Sequence, residues 1–295
     1  MSSTPSRAPW PETDSTENTR HSTPTWDVFV TPPRGGDRWT TWDEIGLVRG
    51  PEPWPEWLIT SGDAYDTELG VLKTGKEADV HLIERVGPDD RSCLLAAKRY
   101  RSSEHRLFRR DDGYQAGRRH KKSREQRAVE NRTAFGRTVV AGMWASAEWS
   151  ALVQLHGSDV RVPFPVSYDG DELLMEFIDD GAGHAAPRLA QVRPDAQDLE
   201  RLWGQFRRIV LTLAGAGYTH GDLSPYNLLV APTPDGGVNG ELVVIDLPQL
   251  VDVVVNPDGV SYLRRDVMNV TKWFHSRRAD VDGEELFAEA LAVLY

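Results

Sequence analysis

Apolar and polar positions along the chain alternate in some segments and recur at helical spacing in others. Alternating or continuously apolar runs predict strands, and apolar residues three and four positions apart predict helices. Strands are predicted at 71–83 (a strand, a turn and a second strand), 94–100, 166–168, 173–178, 228–230 and 242–245. Helices are predicted at 138–155, 196–216 and 266–275, with a short one near the C-terminus. The 295 residues suffice for one large lobe or two small ones around a real core.

Composition argues against several classes of protein. Acidic residues number 45 and basic residues 34, and the net charge of −11 argues against overall binding to nucleic acid or to a membrane surface. Cys93 is the single cysteine, so the sequence offers neither an internal disulfide nor a cysteine metal cluster. No run approaches the roughly 20 apolar residues of a membrane span, and the N-terminus lacks the apolar core of a signal peptide. We therefore expect a cytoplasmic protein without membrane contact.

The N-terminal part of the chain divides into two segments. Residues 1–35 are rich in Pro, Ser, Thr and acidic residues and predict a disordered polar tail. Residues 36–65 form a Trp-rich segment, and six of the ten tryptophans lie before residue 60. Two pairs have a spacing of three, which would place both rings on one helical face: Trp39 with Trp42, and Trp54 with Trp57. The segment either packs on its own domain or binds a partner.

Two charged side chains in apolar surroundings predict an ion pair. Lys98 lies in the apolar strand 94–100, and Glu148 lies on or beside the apolar face of helix 138–155. Because an unpaired buried charge is costly, each side chain needs a partner, and they are natural partners for each other. A lysine held by a helix glutamate is the arrangement with which kinase folds direct an ammonium group at nucleotide phosphates.

Two glycine-containing turns suit a nucleotide. The turn inside 71–83 reads T-G-K, where Gly75 allows the backbone to approach a phosphate and consecutive amides can surround its charge. Gly-Lys is also a common turn, so this signal is weak alone. The strand 173–178 ends in D-D-G-A-G, a connector that suits a hinge between lobes, where backbone groups would bind an adenine edge.

Residues 101–137 form a basic segment with twelve Arg or Lys residues against five Asp or Glu residues, and few aliphatic ones. It is too polar to contribute to a core. Two interpretations stay open: a mobile, solvated insertion, or a surface that faces RNA or an acidic partner.

The segment 220–230 reads H-G-D-L-S-P-Y-N-L-L-V and lies between a helix pattern and a strand pattern. An acid followed five residues later by an amide, here Asp222 and Asn227, is the spacing of kinase-type catalytic loops. Asp246 follows the apolar strand 242–245, and a carboxylate there with a nearby amide suits a Mg²⁺-phosphate site. The alternative is that all three are caps and turn residues.

The order of these motifs resembles the RIO family of atypical serine/threonine protein kinases, and within it the first subfamily, over about residues 66–274. The second subfamily carries an N-terminal winged helix, and residues 1–65 show no such pattern. The similar segments are T-G-K-E-A-D-V at 74–80 (S-T-G-K-E-A in the family), W-A at 144–145 with Glu148 (W-A-x-x-E), A-P-R-L at 186–189, H-G-D-L-S-P-Y-N at 220–227, I-D-L-P-Q at 245–249 and Y-L-R-R-D-V-M-N-V at 262–270.

The resemblance implies an α+β, two-lobed, protein-kinase-like fold with a minimal C-terminal lobe. The N-lobe would span 66–178, with the basic insertion 101–137, and the C-lobe 179–295. Only 49 residues follow Asp246, too few for the activation segment and peptide-docking helices of an ordinary protein kinase.

The resemblance also implies ATP in the cleft, with Mg²⁺. Asp222 would be the catalytic base, Asn227 and Asp246 the Mg²⁺ ligands, and Lys98 the phosphate contact held by Glu148. The acid matching Asp246 can itself accept the phosphoryl group in this family, so the implied activity is that of a kinase and an ATPase. Further nucleotide contacts would come from Thr74, Gly75, Lys76, Glu77, Ala78 and Val80, and through backbone from Glu176 and Ile178.

Two departures from kinase patterns bear on the activity. Gly221 stands where many kinases place an Arg that binds a phosphate on the activation loop. Ser224 replaces the usual Lys two positions after the base, which removes one cation from the γ-phosphate. We expect slow transfer to protein substrates, with autophosphorylation or ATP hydrolysis dominant. The sequence does not identify the protein substrate, and contact with RNA or a ribosomal particle would involve 101–137.

Two other functions use some of the same features. Small-molecule phosphotransferases of the aminoglycoside and choline kinase type also carry H-G-D-x-x-x-x-N, but usually have I-D-W or I-D-F after the last strand and a large helical substrate lobe. A non-catalytic, nucleotide-gated scaffold on RNA or a ribosomal particle would use the basic segment 101–137. An Asp222→Asn variant that loses phosphotransfer but still binds RNA or the ribosomal particle would separate the catalytic role from the scaffolding role.

Overall fold

The computed structural model describes residues 35–101, 134–232, 240–248 and 250–295, and for 134–140 it describes the backbone alone. The predicted tail, apart from residue 35, lies outside these ranges. So do residues 102–133 of the basic segment, most of the hairpin turn at 233–239, and Gln249 of the I-D-L-P-Q motif. What the sequence predicts for them stays a prediction.

The first lobe is a seven-stranded antiparallel sheet in the order β1-β3-β4-β5-β7-β6-β2. A helix of 22 residues, α1 (Ala134–Leu155), packs on one face of this sheet. The strands are β1 (Arg38–Trp39), β2 (Val48–Arg49), β3 (Tyr65–Thr74), β4 (Ala78–Val86), β5 (Ser92–Tyr100), β6 (Pro165–Asp169) and β7 (Glu172–Glu176). The predicted strands are present, and β3 begins six residues earlier than the apolar pattern indicates.

Alternation along β5 decides which side chains reach which face of the sheet. Ala96, Lys98 and Tyr100 face α1, where Ala96 packs with Trp149 and Leu152. Cys93, Leu95 and Ala97 face the opposite side, because successive side chains of a strand point to opposite faces. The period-two pattern of this strand thus places Lys98 against the helix.

The Trp-rich segment 36–65 covers the face of the sheet opposite α1. Its two short strands, β1 and β2, pair with β3 and β6 at the two edges of the sheet. Trp42 is 3% exposed and packs in a core cluster with Leu58, Ile59, Ile83 and Leu95. Of the two interpretations of this segment, packing on its own domain is the one that the structure shows.

The helical interpretation of the tryptophan spacing is wrong. Trp39 lies in β1, opposite Tyr65, and Trp42 lies in a turn. Three prolines between residues 51 and 55 remove amide donors, so the stretch around Trp54 cannot continue as a helix. The two rings that meet are instead Trp42 and Trp54, edge to face at 5.0 Å between centroids.

The second lobe is mainly helical. α2 (Ala196–Gly215) is capped by Asp195, whose carboxylate accepts a hydrogen bond from the Asp198 amide at 2.8 Å. The helix buries one apolar stripe. A hairpin of β9 (Leu228–Ala231) and β10 (Glu241–Val244) follows. Two short strands, β8 (Tyr218–Thr219) and β11 (Val251–Asp252), pair with each other. The remaining helices are α3 (Gly259–His275) and α4 (Gly283–Leu294). α3 begins seven residues before the predicted start of that helix.

The two lobes share one apolar core. A single cluster joins Trp149 and Leu152 of α1 to Phe206 of α2 and Phe274 of α3. The Val244 amide also donates to the Arg161 carbonyl at 2.9 Å, which ties the end of β10 to the first lobe. The architecture is therefore the α+β, two-lobed, kinase-like fold that the sequence predicts. No helix among the described ranges combines the length and apolar character needed to cross a membrane.

Trp42→Ala is expected to lower the free energy of unfolding by about 3–5 kcal/mol, because it removes a fully packed aromatic ring and leaves a cavity. The matched control is Trp57→Ala, since the Trp57 side chain is 38% exposed and we expect a loss of about 1 kcal/mol there. Urea denaturation of both variants measures the difference. Equal, small losses would show that residues 36–65 contribute little to the stability of the sheet.

Candidate active site

A cavity of about 580 Å³ lies between the sheet and the second lobe. Val80, Ala96, Lys98 and Met175 line it from the sheet, and Leu229, Ile245 and Asp246 line it from the second lobe. Glu176, Phe177 and Ile178 line the side where the chain passes from one lobe to the other. The cavity therefore combines apolar walls with a few convergent charged groups, as small-molecule sites usually do.

Lys98 lies at the centre of a buried charge cluster. Its Nζ is 2.7 Å from Glu148 Oε2 and 2.6 Å from Asp246 Oδ1. The predicted ion pair with Glu148 is thus present, and Asp246 joins it. Burial alone would lower the pKa of Lys98, but the charges of Glu148 and Asp246 outweigh burial and raise it. Lys98 is therefore held as an ammonium group at the wall of the cavity.

Glu148 connects both lobes as well as holding Lys98. It accepts a hydrogen bond from the hydroxyl of Tyr100, two residues beyond Lys98 on β5, and from the amide of Leu247 at 3.2 Å. Burial and the charge of Glu148 raise the pKa of Tyr100 well above its ordinary value, so the hydroxyl remains a donor. Sequence reasoning missed Tyr100, although its position on the Lys98 face of β5 was a usable signal.

Asp246 projects its carboxylate into the cavity from a left-handed backbone conformation, with φ at 64°. Asp tolerates this region better than most residues, and one such residue at a strand end redirects the chain. Lys73 contacts the second carboxylate oxygen, with Nζ 3.0 Å from Oδ2. Burial would raise the pKa of Asp246, yet Lys98 and Lys73 hold it well below its usual range. Sequence reasoning missed Lys73 as well.

The predicted catalytic loop lies between β8 and β9. Asp222 is exposed, and its carboxylate has no side-chain partner in the described part of the chain. The Asn227 side-chain amide donates to the Asp222 carbonyl at 2.9 Å, which leaves its oxygen for another contact. The Ile245 amide donates to the Asn227 carbonyl at 3.1 Å, and this bond places the loop beside Asp246.

Two buried side chains support this loop from behind. His220 is fully buried; its Nδ1 accepts the Asp222 amide at 3.2 Å, and its Nε2 lies 3.0 Å from the Ile245 carbonyl oxygen. Asp266 of α3 accepts the Thr219 hydroxyl at 2.8 Å and two loop amides, those of Gly221 at 2.7 Å and Leu223 at 2.9 Å. Burial raises the pKa of Asp266, while His220 and these donors oppose the rise.

Backbone groups at the passage between the lobes have specific partners. The Ile178 carbonyl accepts the Ala186 amide at 3.0 Å, so this carbonyl already has a partner within the passage. The Glu176 side chain accepts the Phe164 amide at 3.0 Å, and burial raises its pKa. Arg161 lies between the carboxylates of Glu176, at 3.6 Å, and Glu241, at 2.6 Å.

The predicted phosphate loop is only partly brought to the cavity. Val80 lines it, whereas Thr74, Gly75, Lys76, Glu77 and Ala78 form the turn between β3 and β4 beyond the lining residues. The turn is tight, since the Gly75 amide donates to the Ala78 carbonyl at 2.9 Å. A Cβ at Gly75 would lie 2.8 Å from that carbonyl oxygen, so the turn requires glycine.

Comparison with known proteins identifies the family. The RIO domain family model matches residues 90–286. The chain is 34% identical over 233 residues to the RIO-type serine/threonine-protein kinase Rio1 of Haloferax volcanii, covering 78% of this chain and 70% of that protein. It is 28% identical to Serine/threonine-protein kinase RIO1 of Chaetomium thermophilum, but covers only 40% of that protein.

A solved structure supports the fold independently. The Rio2 kinase from Chaetomium thermophilum, in an ADP/Mg²⁺-phosphoaspartate complex, matches with a TM-score of 0.55 at 20% identity, over 77% of this chain and 62% of that one. At this identity the likeness shows the fold alone. The family match covers more than half of the chain and includes the predicted catalytic loop and Asp246. The chain therefore belongs to the RIO family of serine/threonine protein kinases.

Proposed function

We propose that this chain is an ATP- and Mg²⁺-dependent kinase and ATPase in which Asp222 is the base and Asp246 binds the metal and accepts the phosphoryl group. One observation carries the proposal: the Asp246 carboxylate lies in the cavity with a buried ammonium group 2.6 Å away and the Asp222–Asn227 loop bonded beside it. The Lys98 ammonium group beside the Asp246 carboxylate and the exposed Asp222 carboxylate are the groups that phosphoryl transfer requires.

The residues present fit a Mg²⁺ ion. Mg²⁺ prefers hard oxygen ligands and takes few from the protein, with phosphates and water completing its shell. Asp246 and the Asn227 amide oxygen supply two such ligands. When bound, the ion would neutralise charge on the phosphate oxygens.

The chain's own residues would divide the remaining work. Lys98, held by Glu148, would contact the phosphates, and the Ile178 N–H with the Glu176 carbonyl would receive the adenine edge. Asp222 would take the proton from a substrate hydroxyl or from water as the new bond to phosphorus forms. Because the lining of the cavity is largely apolar, these charges act where water screens them less.

The aspartyl-phosphate step requires a carboxylate that is ionised and directed at phosphorus. An Asp246 oxygen would form the bond to the γ-phosphorus while the bond to the β–γ bridging oxygen breaks, which releases ADP. Water would then cleave the acyl phosphate, with its proton passing to Asp222. The low pKa of Asp246 supports this role, and so does the phosphoaspartate in the Rio2 structure of the same fold.

Retention of label from γ-labelled ATP with Mg²⁺ tests the proposal in wild type, Asp222→Asn and Asp246→Asn. We expect hydroxylamine-labile label that is lost in Asp246→Asn. In Asp222→Asn we expect the label to persist, because the acyl phosphate then forms but is hydrolysed slowly. The exposed Asp280, in the connection between α3 and α4, provides the control Asp280→Asn, which should label as wild type does.

Other outcomes would change the assignment. Acid-stable label that disappears in Asp222→Asn would support serine or threonine autophosphorylation instead of an aspartyl-phosphate cycle. Absence of both label and phosphate release in wild type would contradict the proposed activity as a whole.

A further inference from the structure

An irregularity in β3 turns Lys73 into the cleft. In the pairing of β3 with β4, Val71 lies opposite His81 and Lys73 lies opposite Val80, so Leu72 is an extra residue. Directly paired residues share a face of the sheet, and Val80 lines the cavity. In a regular strand Lys73 would share the outward face of Val71. The bulge at Leu72 therefore redirects the Lys73 side chain toward the nucleotide site.

Lys73 and Lys98 hold Asp246 in different ways. Lys98 is 8% exposed and bonds two carboxylates, whereas Lys73 is 42% exposed and bonds Asp246 alone, at 3.0 Å. An exposed ion pair contributes little to stability and separates easily, while a buried one does not. Of the two lysines, Lys73 is the one that can change partner.

The catalytic loop lacks a cation that Lys73 is placed to supply. Ser224 stands two positions after Asp222, and its hydroxyl accepts the Tyr226 amide at 3.3 Å. Three cationic side chains line the cavity among the described residues: Lys73, Lys98 and Arg188. Arg188 donates to the Tyr226 carbonyl, and Lys98 is held by Glu148 and Asp246.

We propose that Lys73 is the cation that contacts the terminal phosphate of bound ATP. In the nucleotide-free protein it holds one oxygen of Asp246, and it exchanges this carboxylate for the γ-phosphate when that oxygen becomes a metal ligand. This inference rests on the proposed function and adds to it a specific discrimination: Lys73 distinguishes ATP from ADP.

Calorimetric titration of Mg·ATP and Mg·ADP into wild type and Lys73→Gln tests this directly. Loss of one hydrogen bond to a charged group should weaken ATP binding by about tenfold. ADP binding should stay unchanged, and Lys73→Arg should retain most of the difference between the two nucleotides. The matched control is Lys272→Gln, an exposed lysine in the last turn of α3, which should bind both nucleotides as wild type does.

Three results would overturn the inference, and they are distinguishable. An unchanged ratio of ATP to ADP affinity in Lys73→Gln would show that Lys73 does not contact the γ-phosphate. Tighter binding of both nucleotides would show that Lys73 only competes for Asp246. A wild-type protein that binds neither nucleotide would contradict the proposed function itself. Unfolding midpoints of the variants verify that each is folded.

Discussion

Lys98→Met is expected to reduce phosphoryl transfer by at least about 10²-fold and to lower the free energy of unfolding by about 3–5 kcal/mol. The activity falls because the buried ammonium group 2.6 Å from Asp246 is lost. The stability falls because Glu148, 2% exposed, is left buried without the ammonium group that it bonds. Urea denaturation and the γ-labelled ATP assay measure the two effects separately.

The double variant Lys98→Met/Glu148→Leu separates stability from catalysis. Replacing a buried ion pair with apolar residues of similar volume is often neutral or stabilising. Glu148→Leu also removes the acceptor of the Tyr100 hydroxyl and the Leu247 amide, so the double variant should recover only part of the lost stability. It should remain inactive. If Lys98→Met alone unfolded at the wild-type urea concentration, the cluster of Lys98, Glu148 and Asp246 would not be a stability determinant. If the double variant regained activity, Lys98 would not be the phosphate contact.

Asp266→Ala is expected to lower the free energy of unfolding by about 3 kcal/mol and to reduce kcat more than it changes KM. The Asp266 carboxylate accepts hydrogen bonds from Thr219, Gly221 and Leu223 at 2.7–2.9 Å, and all three donors would be left without it. The Gly221 and Leu223 amides flank Asp222. Loss of their hydrogen bonds to Asp266 should therefore allow the catalytic loop to shift. Asp266 is thus a positioning residue, because it acts through the loop.

Thr219→Val provides the matched control for this prediction. It removes one of the three donors and leaves both loop amides bonded to Asp266, so a loss of about 1 kcal/mol and near wild-type kcat are expected. Steady-state kinetics and urea denaturation on both variants distinguish the roles. A change in KM without a change in kcat in Asp266→Ala would contradict the positioning role.

The spacing of residues along the chain and the cost of burying an unpaired charge were sufficient to predict part of the site. Asp222 and Asn227 lie on one short loop, so their relation depends on local chain geometry, and the structure keeps them in one turn bonded to each other. Lys98 and Glu148 are 50 residues apart, yet each is a charge on an apolar face. The cost of an isolated buried charge made the pairing predictable.

Side chains whose role depends on a distant partner were not predictable in this way. Nothing local marks Lys73 as a cleft residue, because a period-two pattern assigns it to the face of Val71 and only the pairing with β4 reveals the bulge. Asp266 was recognised as part of a motif, but its three partners lie 43 to 47 residues earlier in the chain. The tryptophan spacing misled partly for the same reason, since Trp39 pairs at the edge of the sheet with Tyr65, whereas the prolines around Trp54 were a local signal against a helix.

The sequence by itself determined the order of the main strands and helices, the family resemblance and the pairing of Lys98 with Glu148. These depend on periodicity, on short-range geometry and on the cost of burying charge, and all three can be read from the amino-acid sequence. The tertiary structure decided that residues 36–65 complete both edges of the sheet and that Glu148 reaches the Leu247 amide. It also decided that Lys73 meets Asp246, 173 residues away. Contacts of this kind depend on strand register and lobe packing, which no local pattern records.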